Sequence, residues 1–400
     1  MNNWLKDAII YNILIDRFAR GKGEPWLDSD YLKPVFCGGN LQGVIDKLDY
    51  LRNLGVNTIL FSPFQSTSAY HGYHVTDFFT VDQHFGTIEI VKELLEKAHR
   101  KNIRIIMDLV INHVSSRHPY FMDARENPNS KYRDWFKFSK WPDEYMTFLV
   151  FPDLPKLNLD NIEVRKHIVD AALYWLQIGF DGFRLDHIIG VPNSFHRELR
   201  AAVKEKNPDA VLIGEAVKGL IRRREIKTLQ IKNKYLMYIL SQAGLNTSFF
   251  LQLQYVRYLD GVFDFFCRDM AKSFFVKKRW FKPLWLLNFI LRVHFWSYPK
   301  NFSLISLLDN ADHDRFIFLL KNNVEELQKV VRWQFSLNQP EMILYGNEAG
   351  LKQAQSRKIK VYGDKEHGDL AIRPIMPWGN IDQKMFDYYR KMISMKKAGR

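Results

Sequence analysis

The sequence predicts an α/β protein whose strands close into a (β/α)8 TIM barrel, and three observations lead there. Short β-branched runs alternate with amphipathic helical patterns along the whole chain. The runs number eight, as closure of a parallel sheet requires. Several of them end in carboxylates, where barrel enzymes keep their working groups. The runs are Ala8–Asp16, Val56–Phe61, Ile103–Val110, Phe180–Asp186, Ala210–Glu215, Gly261–Phe265, Ser303–Asp309 and Met342–Tyr345.

Helical patterns fill the intervals, among them Thr87–Lys101 (TIEIVKELLEKAHRK) after the second run and Glu163–Ile178 after the third. One interval is too long for a plain loop. Residues 113–157 are rich in Pro, Asn, Asp and aromatics, and a structureless stretch of that size is improbable in a compact fold. They are read as a small inserted domain B. The barrel then comprises residues 1–112 and 158–400, closing on a helix near Ile381–Lys397. No residues remain for a C-terminal β-sandwich.

The composition sets outer limits. Of the 400 residues, 46% are hydrophobic and 14% aromatic, enough to build a large core, so global disorder is excluded. Cys37 and Cys267 are too few for a disulfide framework or a zinc cluster and fit a reducing compartment. The N-terminus lacks the pattern of a secretory signal. The most apolar stretch, Leu284–Trp296, is interrupted by Asn288, Arg292 and His294, and does not read as a membrane span. The expected location is cytoplasmic.

The net charge of +14 is unevenly placed. Residues 216–300 hold 16 Lys+Arg against 4 Asp+Glu, and the rest of the chain holds 42 against 40. This segment contains Arg222–Arg224 and Lys277–Arg279, the latter running into WFKPLWLLNFILRVHFW. Such a pattern fits a solvated helix packed on the barrel, or a surface that docks peripherally on an anionic membrane or a protein partner. Nucleic acid is not an expected partner, because no recognised binding module is present.

Four segments carry the chemistry: DLVINH (Asp108–His113), GFDGFRLDH (Gly179–His187), LIGEA (Leu212–Ala216) and SLLDNADHDRF, ending at Phe316. Strand alternation places Arg184 and Asp186 on one face, and Asp108 in line with Asn112. A carboxylate beside Arg184 is favoured in its ionised form, which suits a nucleophile. Glu215 ends another strand. Two converging carboxylates are the minimum for retaining glycoside hydrolysis, one attacking the anomeric carbon and the other exchanging the proton. Burial raises the acid's pKa, while the arginine-paired carboxylate is expected to stay low. Metal-assisted hydrolysis is the competing use of clustered Asp and His.

In this order the four segments resemble the motifs of the α-amylase family of glycoside hydrolases (family 13), nearest to its cyclomaltodextrin- and maltodextrin-active branch. AIIYNILIDRFARG, FCGGNLQGVIDKLDYLRNLGVNTILFSPF, YHGYHVTDFFTVDQHFGT, QPEMILYGNEAGL and RPIMPW extend the resemblance over residues 4–397. It implies Asp186 as nucleophile, Glu215 as general acid/base and Asp312 as the third acid, with Tyr73, His113, Arg184 and His187 contacting sugar or orienting those that do. Asp108 and Asn112 would be structural supports. The implied activity is double displacement on α-1,4-linked glucose chains, by hydrolysis or transglycosylation. The alternative is a catalytically weak glycan-binding or docked interaction protein on the same barrel.

Three departures stand out. Ala311 replaces the histidine usual before the third acid, which should weaken transition-state hydrogen bonding by ~1–3 kcal/mol. An alternative register would use His313–Asp314 instead of Asp312. Ile189 and Gly190 stand where Lys-His is frequent. In Leu154–Asn158, LPKLN replaces LPDLN or LPDLD, so Lys156 takes the place of an acidic calcium ligand. No cofactor is required. Asn112 remains the candidate metal ligand, but calcium is doubtful beside an ammonium.

Overall fold

The computed structural model describes residues 4–149, 151–216, 226, 229–242, 246–277, 283–356 and 368–399. Arg222–Arg224, Lys278 and Arg279 lie outside them. Eight parallel strands form a closed barrel: β1 (Ile9–Ile13), β2 (Thr58–Phe61), β3 (Arg104–Leu109), β4 (Gly182–Leu185), β5 (Val211–Gly214), β6 (Gly261–Phe263), β7 (Ser303–Leu307) and β8 (Glu341–Leu344). Each pairs with its neighbours in sequence, and β8 returns to β1 with Ile9 opposite Glu341.

Alternation along these strands divides the core in two. Ile10, Leu60, Ile106, Ile213, Phe263, Ile305 and Met342 pack together in the lumen. Ile9, Ile59, Ile105, Leu212, Val262, Leu304 and Ile343 face the surrounding helices. Gly182 is required where β4 meets β5: its φ is +153°, and a Cβ there would lie 2.3 Å from the Val211 carbonyl.

The helices begin where the sequence supplies caps. Thr87 caps Ile88–Arg100, Asn161 caps Ile162–Ile178 and Asp382 caps Gln383–Ala398. The first predicted strand stops short of Asp16. That residue falls in a short helical turn, where its carboxylate accepts from the Cys37 and Gly38 amides.

Residues 113–157 leave the barrel after β3. They carry the helix Pro119–Glu126 and a hairpin of Phe138–Lys140 with Glu144–Tyr145. The chain then returns beside its own start: Lys156 bridges His113, and the Leu157 amide donates to the Asn112 carbonyl at 3.0 Å.

Candidate active site

The two-residue period that fills the lumen also builds the site. Ile106 points inward, and so does Asp108 two residues on. Ile213 likewise places Glu215 over the lumen, and Arg184 and Asp186 share the inward parity of β4. Asp186 and Glu215 stand just past the last paired residue of their strands. Their amides still bond across the sheet, to Leu109 and Leu185 carbonyls, so both carboxylates are set by the barrel.

Arg184 is the hub. Its Nη1 donates to Asp108 Oδ2 at 2.6 Å and to Asp186 Oδ1 at 2.8 Å, and its Nη2 lies 2.5 Å from Glu215 Oε2. Tyr73 Oη donates to the same Asp108 oxygen at 2.8 Å, and its ring lies 5.9 Å from the guanidinium carbon. Arg184 and all three carboxylates are buried. One positive charge therefore serves three acids.

The electrostatics differ from the expectation that pairing with arginine singles out Asp186. Burial pushes all three carboxyls up, more than the charge of Arg184 pulls them down. Glu215 rises to about 8 and Asp108 to about 7. Asp186 also rises, against Arg184 and a hydrogen bond from Glu215. The cluster thus holds a proton near neutrality.

Asp312 approaches from the loop after β7 and is partly exposed. Its charge reaches Asp186, Glu215 and Tyr73. Arg373 Nη2 holds Asp312 Oδ1 at 3.0 Å, while Nε donates to the Ala311 carbonyl at 2.8 Å. The same guanidinium binds Asp369 at 2.8 Å and Tyr70 Oη at 3.2 Å. Asp314 turns elsewhere and accepts from Gln353 Nε2 at 2.6 Å. The fold therefore brings Asp312, rather than Asp314, to the cluster.

His113 and His187 both pack against Phe148, each with its ring centre 4.6 Å from the phenyl. Burial drives both imidazoles toward the neutral form, His113 to about 3. His113 Nε2 has no hydrogen-bond partner among the described residues. The His187 amide lies 3.4 Å from Glu215 Oε2. Sequence reading missed two contributors. Arg373 lay within the RPIMPW segment, but nothing marked its role. Phe148 carries no signal in the inserted segment.

The residues at the expected calcium position do not fit calcium. Lys156 is buried, and its Nζ donates to the Gly190 carbonyl at 2.6 Å. Asn112 Oδ1 sits beside Gly190 and has no hydrogen-bond partner among the described residues. Calcium takes six to eight oxygens, often carboxylate oxygens. Here an ammonium occupies that side of the site, and no group of three or more His, Cys, Asp or Glu able to hold a metal occurs among the described residues. Burial, reinforced by the charge of Lys137, draws the Lys156 pKa down to about 7.

Comparison with known proteins agrees with this geometry. The family described as alpha amylase, catalytic domain, matches residues 12–399. Alpha-amylase 2 of Dictyoglomus thermophilum is 34% identical, over 99% of this chain and 64% of its own length. A cyclomaltodextrinase of a Bacillus species is 32% identical, over 99% of this chain and 66% of its own. The chain spans just under two thirds of the length of both relatives. The ligand-free cyclic alpha-maltosyl-(1→6)-maltose hydrolase of Arthrobacter globiformis superposes with a TM-score of 0.80 at 28% identity, covering 100% of this chain and 84% of that one. With a closed eightfold barrel, carboxylates gathered at its C-terminal mouth and a family match over nearly its full length, the chain belongs to the α-amylase family of glycoside hydrolases.

Proposed function

We propose that this chain is a retaining glycosidase acting on α-1,4-linked glucose chains, by hydrolysis or by transfer to a second sugar. The observation that carries the proposal is the single guanidinium shared by Asp186 and Glu215. One terminal nitrogen holds an Asp186 oxygen at 2.8 Å and the other lies 2.5 Å from a Glu215 oxygen, so the two carboxyl groups converge on one guanidinium. Retention needs the carboxyl groups close, about 5–5.5 Å apart, whereas inversion needs room for a water between them.

In the first step Asp186 attacks the anomeric carbon and the bond to the leaving oxygen breaks. Glu215 gives its proton to that oxygen. In the second step Glu215, now a carboxylate, takes a proton from water or an acceptor hydroxyl. The freed oxygen attacks the anomeric carbon and displaces Asp186, so configuration is retained. The upward pKa of Glu215 suits a group that must start protonated. Asp312, positioned by Arg373, grips sugar hydroxyls and favours the cationic transition state. Tyr73 offers a ring face to the sugar, and His113 a neutral polar edge.

No step requires a metal, and Lys156 takes over the tethering that calcium would provide. Two buried free thiols, Cys37 and Cys267, accord with a cytoplasmic location.

The test is a product profile on maltoheptaose and cyclodextrins by chromatography, with Asp186→Ala alongside. Short α-anomeric products from the wild type, lost in the variant, are expected. Absence of turnover on every α-glucan would overturn the reading.

A further inference from the structure

The face that the sugar chemistry leaves unused lies on the helix Leu284–Trp296. This helix packs inward through Leu287, Leu291 and His294. His294 Nε2 sits 2.9 Å from Asp264 Oδ2, and Trp333 Nε1 donates to Asn288 Oδ1 at 3.1 Å. Its attachment to the barrel is thus complete.

The outward side is an apolar stripe. Trp285, Phe289, Val293 and Trp296 follow one another at helical spacing and are 67%, 58%, 49% and 86% exposed. A helix on the outer wall of a barrel normally presents charged residues there. Tyr235, Ile239 and Phe250, in the same basic segment, are exposed as well.

The charge around the stripe is predominantly positive. The helix carries no acidic residue, and Arg292 is exposed within its outward face. Lys277 and Lys300 are exposed before and after it. Beside Trp296 opens a trough of about 940 Å³, where Lys6, Lys300 and Arg332 meet the acid Asp7, and where Lys396 is already paired with Glu341. A second copy of this face would set like charge against like charge. An anionic surface complements it.

The geometry points to an anionic phospholipid bilayer as the occupant. We propose that the helix lies in the plane of the headgroups, with Trp285, Phe289 and Trp296 inserted and the flanking Lys and Arg against lipid phosphates. Thirteen residues make a helix of about 20 Å, too short for a hydrocarbon core of about 30 Å. No described helix is long and apolar enough to cross a membrane. The helix leads from the C-terminal end of β6 back to the start of β7, so Trp296 lies toward the N-terminal end of the barrel. The carboxylate cluster opens at the other end and stays accessible to dissolved sugar.

The experiment is flotation of the full chain with vesicles of phosphatidylcholine alone, or mixed with phosphatidylglycerol, in low and raised salt. Binding is expected on the mixed vesicles only, with a blue shift of tryptophan emission and release by salt. The combined variant Trp285→Ser, Phe289→Ser and Trp296→Ser should lower vesicle partition by about tenfold or more while its thermal midpoint stays unchanged. If that variant misfolds, Arg292→Glu with Lys300→Glu provides the same test through charge. Equal binding to neutral vesicles, no binding, or binding that neither variant weakens would overturn the proposal. So would self-association of the wild type that the serine variant abolishes, since the face would then be a protein interface.

Discussion

Arg184 holds three acids with one charge, and this imbalance sets the pH behaviour of the site. The pKa of Glu215 in the folded state, about 8, lies above its ordinary 4.5. A raised carboxyl binds its proton more tightly folded than unfolded. Its contribution to stability is therefore complete below pH 4.5 and is lost as pH rises toward 8. Glu215→Gln cannot ionise, so it should unfold at a higher temperature than the wild type at pH 8, with little difference at pH 4; calorimetry at both pH values checks this. In the proposed mechanism the same proton goes to the leaving oxygen. Turnover of maltoheptaose should fall as pH rises through about 8, and Glu215→Gln should lose about a hundred- to ten-thousand-fold in kcat. The carboxylates and Arg184 were legible in the sequence because each falls at a strand end with the parity of the lumen. Their sharing of one guanidinium was not, because it depends on how β3, β4 and β5 stand side by side.

At the scale of elements, the segment 113–157 is joined to the barrel by a lysine. Lys156 reaches from the returning end of this segment to the Gly190 carbonyl after β4. Its Nζ ties these two loops through that hydrogen bond. Addition of calcium or of a chelator should leave the wild-type thermal midpoint unmoved. Lys156→Met should lower stability by ~1–3 kcal/mol, because it strands a buried carbonyl. Lys156→Asp, which restores a carboxylate beside Asn112 and Gly190, should become stabilised by calcium. A calcium-dependent rise in the wild type itself would contradict the assignment. The departure was visible as LPKLN in the sequence. What the lysine does instead could not be read there, since Gly190 is distant in the chain and close only in the fold.

At the scale of the molecule, the barrel has an inner core that belongs to all strands at once. Ile106 packs in the lumen with residues from the other strands. Ile106→Ala should cost about 2–5 kcal/mol and shift the unfolding of the whole barrel, since no single strand pair can relax around the cavity. Urea unfolding followed by far-ultraviolet circular dichroism measures this. If the inner core is shared, the lost stability should appear as a lower midpoint for the barrel as a unit, with no separate early transition.

The eight strands, their order and the inward parity of Asp108, Arg184, Asp186 and Glu215 follow from the sequence by itself, because a period of two is a local property of the chain. The uneven charge and the aromatic run of Leu284–Trp296 were equally local. Only the tertiary structure decided that Arg184 serves three acids, that Arg373 steadies Asp312, that Phe148 packs against both His113 and His187, and that Trp285, Phe289 and Trp296 face outward. Each of these is a distance or an exposure between residues remote in sequence. Such relations arise when the barrel closes, and no local period encodes them.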